Sequence, residues 1–234
     1  MSNVIYALRA VKSLPKGEPG TFDHPEREAV PKEVIAATLP FLAPVVAAMV
    51  QVQYLTAMRP SEVFRMRVGD IDRSRGNGLW YYTPTHHKTE SVIGKKPIPL
   101  SEAVQRLIAP YLIGKKPGEA VFSHRTAMKE RAAEARSKSK RTPPQRAWDT
   151  KRAEQNASRV GEFYDKDSYR RAVTYAIEKG NRHGQKIPHW SPYLLRNSAV
   201  TDIELEHGLD VAQAQAGVVQ AIEAVGAYVL YGNY

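Results

Sequence analysis

Cysteine is missing from the 234 residues altogether. Its absence excludes disulfides and thiolate-ligated metals and is compatible with a reducing interior; cytoplasm is the default expectation. Long apolar runs are missing too. None approaches the ~20 residues that a membrane span needs, and residues 1–17 show neither the apolar stretch nor the small-residue cleavage pattern of a signal peptide. The histidines are scattered. His86 and His87 are adjacent and would point apart on an extended segment, and no carboxylates cluster at ligand spacing. A metal-dependent nuclease is therefore disfavoured, and neither metal nor cofactor is expected. No aromatic RNP-like strand motif or GXXG loop occurs, which argues against the common RNA modules. Acidic residues are comparatively few: 24 Asp and Glu face 34 Lys and Arg, for a net charge of +10. That balance points to nucleic acid or another anionic surface; the blander readings are a basic soluble protein or a scaffold.

With 42% hydrophobic residues, the chain can bury one large core or two small ones. Residues 1–30 read as a lead-in, a short helix at Val4–Val11 broken by Pro15, Gly17, Pro19 and Gly20. Pro31 suits a first helical position, with Glu33 in the first turn. A second helix runs from about Ala43 to Met58 with Val46, Met49, Val50 and Tyr54 on one face. It ends at Arg59. Pro60 fixes a turn, Ser61 is placed to cap the next short helix, and Glu62 lies in that helix's first turn. Strands are expected at Val68–Ile71, Leu79–Thr83 and Ile98–Leu100, the last held to an edge by Pro97 and Pro99. Lys88 falls between the second and third. Ser101 caps a helix through Leu112, and Val121–Ser123 is extended.

Residues 124–162 lack large apolar side chains and are crowded with Lys and Arg. This basic insert cannot bury a core and is expected to be mobile or partly helical. Arg125, Lys138, Lys140 and Arg141 are its candidate phosphate contacts; a merely solvated charge run is the other reading. Asp167 or Ser168 then caps a helix carrying Tyr169, Val173 and Ile177. Ser191 and Pro192 start another, on which Tyr193 and Arg196, three apart, share a face. Gly208 ends it. Near the C-terminus Tyr228, Tyr231 and Tyr234 recur at intervals of three.

An arginine on a helix-end turn, a lysine between two strands, a helix opening with a fifth-position arginine and C-terminal tyrosines follow in succession. From about Val30 onward this resembles the catalytic domain of the tyrosine recombinases, the phage-type integrases. Thr56–Val63 is similar to the family's first arginine motif, Asp70–Asp72 to the segment before its aromatic strand, and His87–Thr89 to its hairpin lysine. Trp190–Arg196 is similar to its second arginine motif, and Gly208–Asp210 with Gln213–Gly217 to the approach to its last histidine and tyrosine. The resemblance implies a mainly α fold with a small antiparallel β-sheet over residues 31–234, with 124–162 as an expansion. Residues 1–30 become a linker, or the remnant of an N-terminal core-binding domain.

It also implies roles. Arg59 and Arg196 would clamp the non-bridging oxygens of a phosphodiester, with Glu62 orienting Arg59 or a neighbouring polar group. Lys88 would protonate the departing 5′ oxygen. A tyrosine, Tyr228 first and Tyr231 second, would attack phosphorus and hold the strand as a phosphotyrosine. The implied partner is double-stranded DNA on the nucleoid, engaged by a homotetramer; the isolated chain is compatible with a monomer. Three positions depart from the family pattern: Tyr193 and Val218 stand where histidine is usual, and Asn197 where it is frequent. These departures favour the alternative of a catalytically inactive DNA-binding protein on the same fold, whereas Arg59, Lys88 and Arg196 favour retained chemistry.

Overall fold

A computed structural model of the chain describes residues 28–75, 78–85, 97–137, 140 and 142–208. The architecture is mainly α with one small sheet. Helix α1 (Lys32–Thr38) leads through a 3-10 turn (Leu39–Phe41) into α2 (Pro44–Thr56), which is followed by the short α3 (Pro60–Phe64). The sheet follows: β1 (Ile71–Asp72), β2 (Trp80–Tyr82) and β3 (Ile98–Leu100), antiparallel in the order β1-β2-β3. Its register pairs Ile71 with Tyr82, and Tyr82 with Ile98. The remaining helices are α4 (Glu102–Ile108), α5 (His124–Ser137), α6 (Pro143–Arg159), α7 (Lys166–Arg182) and α8 (Pro192–His207).

Helix α2 is the centre of the core. It was expected to have one apolar face, but Val45, Val46, Ala48, Met49, Val50 and Val52 are all buried, because α4, α7 and α8 pack around it. A helix apolar on every side is stable only when enclosed in this way. Its one buried amide, Gln53, is doubly used. Gln53 Nε2 donates to the Pro192 carbonyl at 2.7 Å, and its Oε1 accepts from Tyr169 Oη at 3.0 Å. One side chain thereby ties the central helix to the start of α8 and to α7. From the next residue of α2, Tyr54 Oη donates to Asp202 of α8. Val30 also belongs to the packed unit: it is buried, and its N–H donates to Ser198 Oγ at 2.7 Å.

Several local expectations are corrected. Val68–Asp70 is a 3-10 turn rather than a strand. The Gly69 N–H donates to the Pro117 carbonyl at 2.7 Å and Val68 N–H to Glu119 at 3.1 Å, so these groups are taken up outside the ladder. Helix α3 is capped from Arg59, not Ser61, since Pro60 occupies its first position. Helix α7 starts from Asp165. Its carboxylate accepts from the Ser168 N–H at 2.6 Å and Ser168 Oγ accepts from the Asp165 N–H at 2.8 Å, a reciprocal cap that holds the Asp165 carboxyl below its ordinary range.

The basic insert is helical over most of its length: α5 and α6 form an antiparallel pair packed on each other. Composition explains both halves of this result. Ala, Lys, Arg, Glu and Gln are good helix formers, yet without large apolar side chains the pair buries no residue of α5. The pair stands on a narrow stem. Ser123 and Phe163 form an antiparallel bridge, the His124 N–H donates to the Glu162 carbonyl at 2.9 Å, and the Arg67 guanidinium lies 5.6 Å from the Phe163 ring centroid. The His124 ring stacks on Tyr164 with centroids 4.2 Å apart. Burial pushes the His124 imidazole below its usual value, against the pull of Asp165 and with the help of Arg171.

Candidate functional site

The turn from α2 to α3 carries the site. Proline at 60 disfavours helical backbone at the preceding residue, and Arg59 is extended accordingly, with φ −68° and ψ 149°. The reversal is made at Ala57, in the left-handed region at φ 52° and ψ 23°, the only non-glycine residue with positive φ among the described residues. That conformation costs an alanine about 1 kcal/mol. It is held by burial: Ala57 is fully enclosed and packs with Ala199 and Ile203 of α8.

Glu62 fastens Arg59 from one turn away. Its Oε2 accepts from the Arg59 backbone N–H at 2.8 Å and its Oε1 from Arg59 Nη1 at 3.1 Å. The carboxylate is 1% exposed and the guanidinium 22%. The acid is therefore enclosed, while its cation keeps an open side. Among the described residues no other hydrogen bond of the Arg59 guanidinium is found, and a planar fork with donors to spare is suited to an anion. The carbonyl of Glu62 accepts from the buried Tyr82 Oη at 2.8 Å, which pins α3 to the sheet. Burial raises the Tyr82 phenol far above its ordinary value, so this hydroxyl remains a donor.

Arg196 arrives from α8. Its Nη1 donates to the Ala57 carbonyl at 2.9 Å, two residues before Arg59. The two guanidiniums are close enough that Arg59 disfavours the charge on Arg196. Burial is the larger effect in the same direction, and Glu62 opposes both. Two cations and one buried carboxylate leave this turn with an excess positive charge in a partly desolvated setting, where an anion's charge is weakly screened. Such a site can bind a phosphate group and stabilise added charge on its oxygens. Tyr193, in the first turn of the same helix, is 52% exposed. Among the described residues there is no group of three or more His, Asp or Glu that could hold a metal ion.

Of the residues singled out in the sequence, Arg59, Glu62 and Arg196 come together. Lys88, Val218, Tyr228, Tyr231, Lys138 and Arg141 lie outside the described residues. Lys88 falls in the chain between Tyr82 and Ile98, which pair across β2 and β3. In the insert, Arg125 donates through Nε and Nη2 to the Val160 carbonyl at 3.3 and 3.2 Å, and Lys140 is exposed. Sequence reasoning missed Ala57, Gln53 and Tyr82 as supports of the site. Of these, Gln53 alone carried a signal, as one of two glutamines, with Gln51, inside a largely apolar helical run.

The sequence model of the family described as "Phage integrase family" matches residues 34–218, most of the chain. No curated protein matches the chain.

Proposed function

We propose, from the premise that the chain belongs to the phage integrase family, that it cleaves and rejoins double-stranded DNA in site-specific recombination or integration through a 3′-phosphotyrosyl intermediate. The observation that carries this reading is the meeting of Arg59 and Arg196 at the Ala57–Pro60 turn, with Glu62 enclosed behind Arg59.

In this reading the scissile phosphate lies against the two guanidiniums, which take up the charge that develops on its non-bridging oxygens. The Tyr228 phenol, with Tyr231 as second choice, gives up its proton to solvent water as its oxygen attacks phosphorus. The tyrosyl O–P bond forms, the P–O5′ bond breaks, and Lys88 protonates the departing 5′ oxygen. Attack by a 5′ hydroxyl reverses the step on the same or a new strand, so no nucleotide is consumed. Tyr193, at the usual histidine position, is a hydroxyl donor at the edge of the site. A homotetramer on two duplexes is the assembly this chemistry calls for.

A second reading is a DNA-binding protein that has lost the chemistry. The substitutions at Tyr193 and Val218 favour it, since valine neither donates nor accepts a side-chain hydrogen bond. Incubation with a nicked suicide duplex separates the two. A covalent protein–DNA adduct, lost in Tyr228→Phe and in Arg59→Ala, is the expected result. Duplex binding without any adduct overturns the enzymatic reading in favour of the second; an adduct lost only in Tyr231→Phe moves the nucleophile.

A further inference from the structure

Between 124 and 159 the sequence has eleven Lys and Arg against four Asp and Glu, so this paired-helix insert holds most of the chain's excess positive charge. The charge is ordered. Arg125, Lys129 and Arg136 fall within about 40° of one another around α5, at 100° per residue, and span about 16 Å along its axis. They face Ala153, Glu154 and Ser158 of α6 across a cleft of about 480 Å³. Arg125 is steadied at the stem by the Val160 carbonyl. Neither Lys129 nor Arg136 has an ion-pair partner among the described residues. Like charges aligned on one face, without an apolar core beneath, repel one another and gain little from folding. An anion between the helices reverses that balance.

The length of the row selects the kind of anion. A free phosphate meets one or two of the three cations. A sugar-phosphate strand, with one phosphate per 3.4 Å of duplex axis, presents four or five over the same 16 Å. The small residues opposite, Ala153 and Ser158, leave room for a backbone rather than a side chain.

We propose that the α5–α6 cleft is a second phosphate site, separate from the two-arginine turn, which grips the sugar-phosphate backbone of the duplex to one side of the reacting position. The choice of duplex DNA as occupant rests on the recombinase reading above. Lys129 and Arg136 carry the contacts, and Glu154 limits their strength. The grip is independent of base sequence, because it meets phosphates alone.

The test uses the full chain, a labelled 40-base-pair duplex and binding measured between 50 and 300 mM NaCl. Lys129→Gln with Arg136→Gln is expected to lower the salt slope by about two and to weaken binding roughly 60-fold at 0.1 M salt. Glu154→Lys is expected to steepen the slope by about one, a gain that misfolding does not produce. If the wild-type chain binds duplex DNA and these variants leave the slope unchanged, the cleft is not a phosphate site. If the wild-type chain fails to bind duplex DNA at all, the recombinase reading itself fails. Displacement of the duplex by an equally charged single-stranded RNA at lower concentration, or by millimolar inorganic phosphate, overturns the choice of occupant. Trp148 of α6 is 60% exposed and supplies an independent signal: its fluorescence is expected to change on duplex addition in the wild-type chain and not in the double variant.

Discussion

Replacing Arg59 by methionine would strand a carboxylate. The Glu62 side chain is 1% exposed and its charged partner is Arg59, so the variant must enclose an unpaired charge or distort to hydrate it. Breaking a buried pair from one side costs about 3–5 kcal/mol. Arg59 is 22% exposed, which moves the expectation to the lower end, about 3 kcal/mol. Glu62→Met leaves a cation that can turn to water, together with an unsatisfied Arg59 backbone N–H, for about 2 kcal/mol. If the two losses were independent, the double variant would lose about 5 kcal/mol. The structure predicts otherwise. With both charges gone, only the backbone N–H is left without its acceptor, at about 1 kcal/mol, so the double variant is expected to be more stable than either single one. Urea unfolding followed by circular dichroism measures this, with an unchanged m-value as the check on two-state behaviour. Additivity within about 0.5 kcal/mol would show that Arg59 and Glu62 are not coupled, and would remove the argument that Glu62 positions the guanidinium. Stability and chemistry should also part company here: the double variant regains its fold, yet forms no adduct.

Further outcomes can be stated briefly. Tyr169→Phe removes a donor from Gln53 Oε1 inside the core and is expected to destabilise by about 1–3 kcal/mol in urea unfolding. Gly69→Ala places a Cβ 3.0 Å from both the Cβ and the carbonyl oxygen of Pro117; neither can swing away, and a loss of about 1–3 kcal/mol is expected by the same measurement. Because burial depresses the His124 imidazole, the unfolded chain takes up a proton more readily than the folded one as pH falls through 6.5. Stability is therefore expected to decline from pH 7.5 toward pH 5.5, and His124→Gln to flatten that decline. Arg196→Lys keeps the charge but loses the planar fork. Adduct formation on the suicide duplex is expected to fall by at least tenfold while far-UV circular dichroism is unchanged.

The half of the site built on local sequence was the half that could be read. Arg59, Pro60 and Glu62 lie within one turn, and proline's fixed φ together with the three-residue spacing determines how they meet. Ser61 was assigned the cap because it is the usual chemical type, whereas Pro60 had already taken the first helical position. Arg196 could be placed on a helix face by its distance from Ser191 and Pro192, but its acceptor could not. Alanine does not advertise a left-handed backbone, and the Ala57 carbonyl is aimed by packing against α8, a long-range effect. The strand expected at Val68 failed for a similar reason: apolar alternation does not reveal that the loop around Pro117 will claim those backbone groups. In the insert, the lack of apolar residues correctly denied it a core. Helix propensity was the signal left unused, and it accounts for α5 and α6.

The bridge between Ser123 and Phe163 has a consequence for how this chain can change. The paired helices leave and rejoin the body at adjacent residues of an antiparallel pair, where Cα atoms lie about 5 Å apart. A short turn can close that gap as well as thirty-nine residues do. The helices and sheet of the body touch one another directly, and the insert meets them at its stem, through the His124–Tyr164 stack and the shallow packing of Ala127. The bridge is thus a socket. Arms of other lengths or charges could be seated there, or none, without re-registering the elements that hold Arg59 and Arg196. The charge carried by the insert and the shape of the two-arginine turn are separable inheritances, free to be altered one at a time.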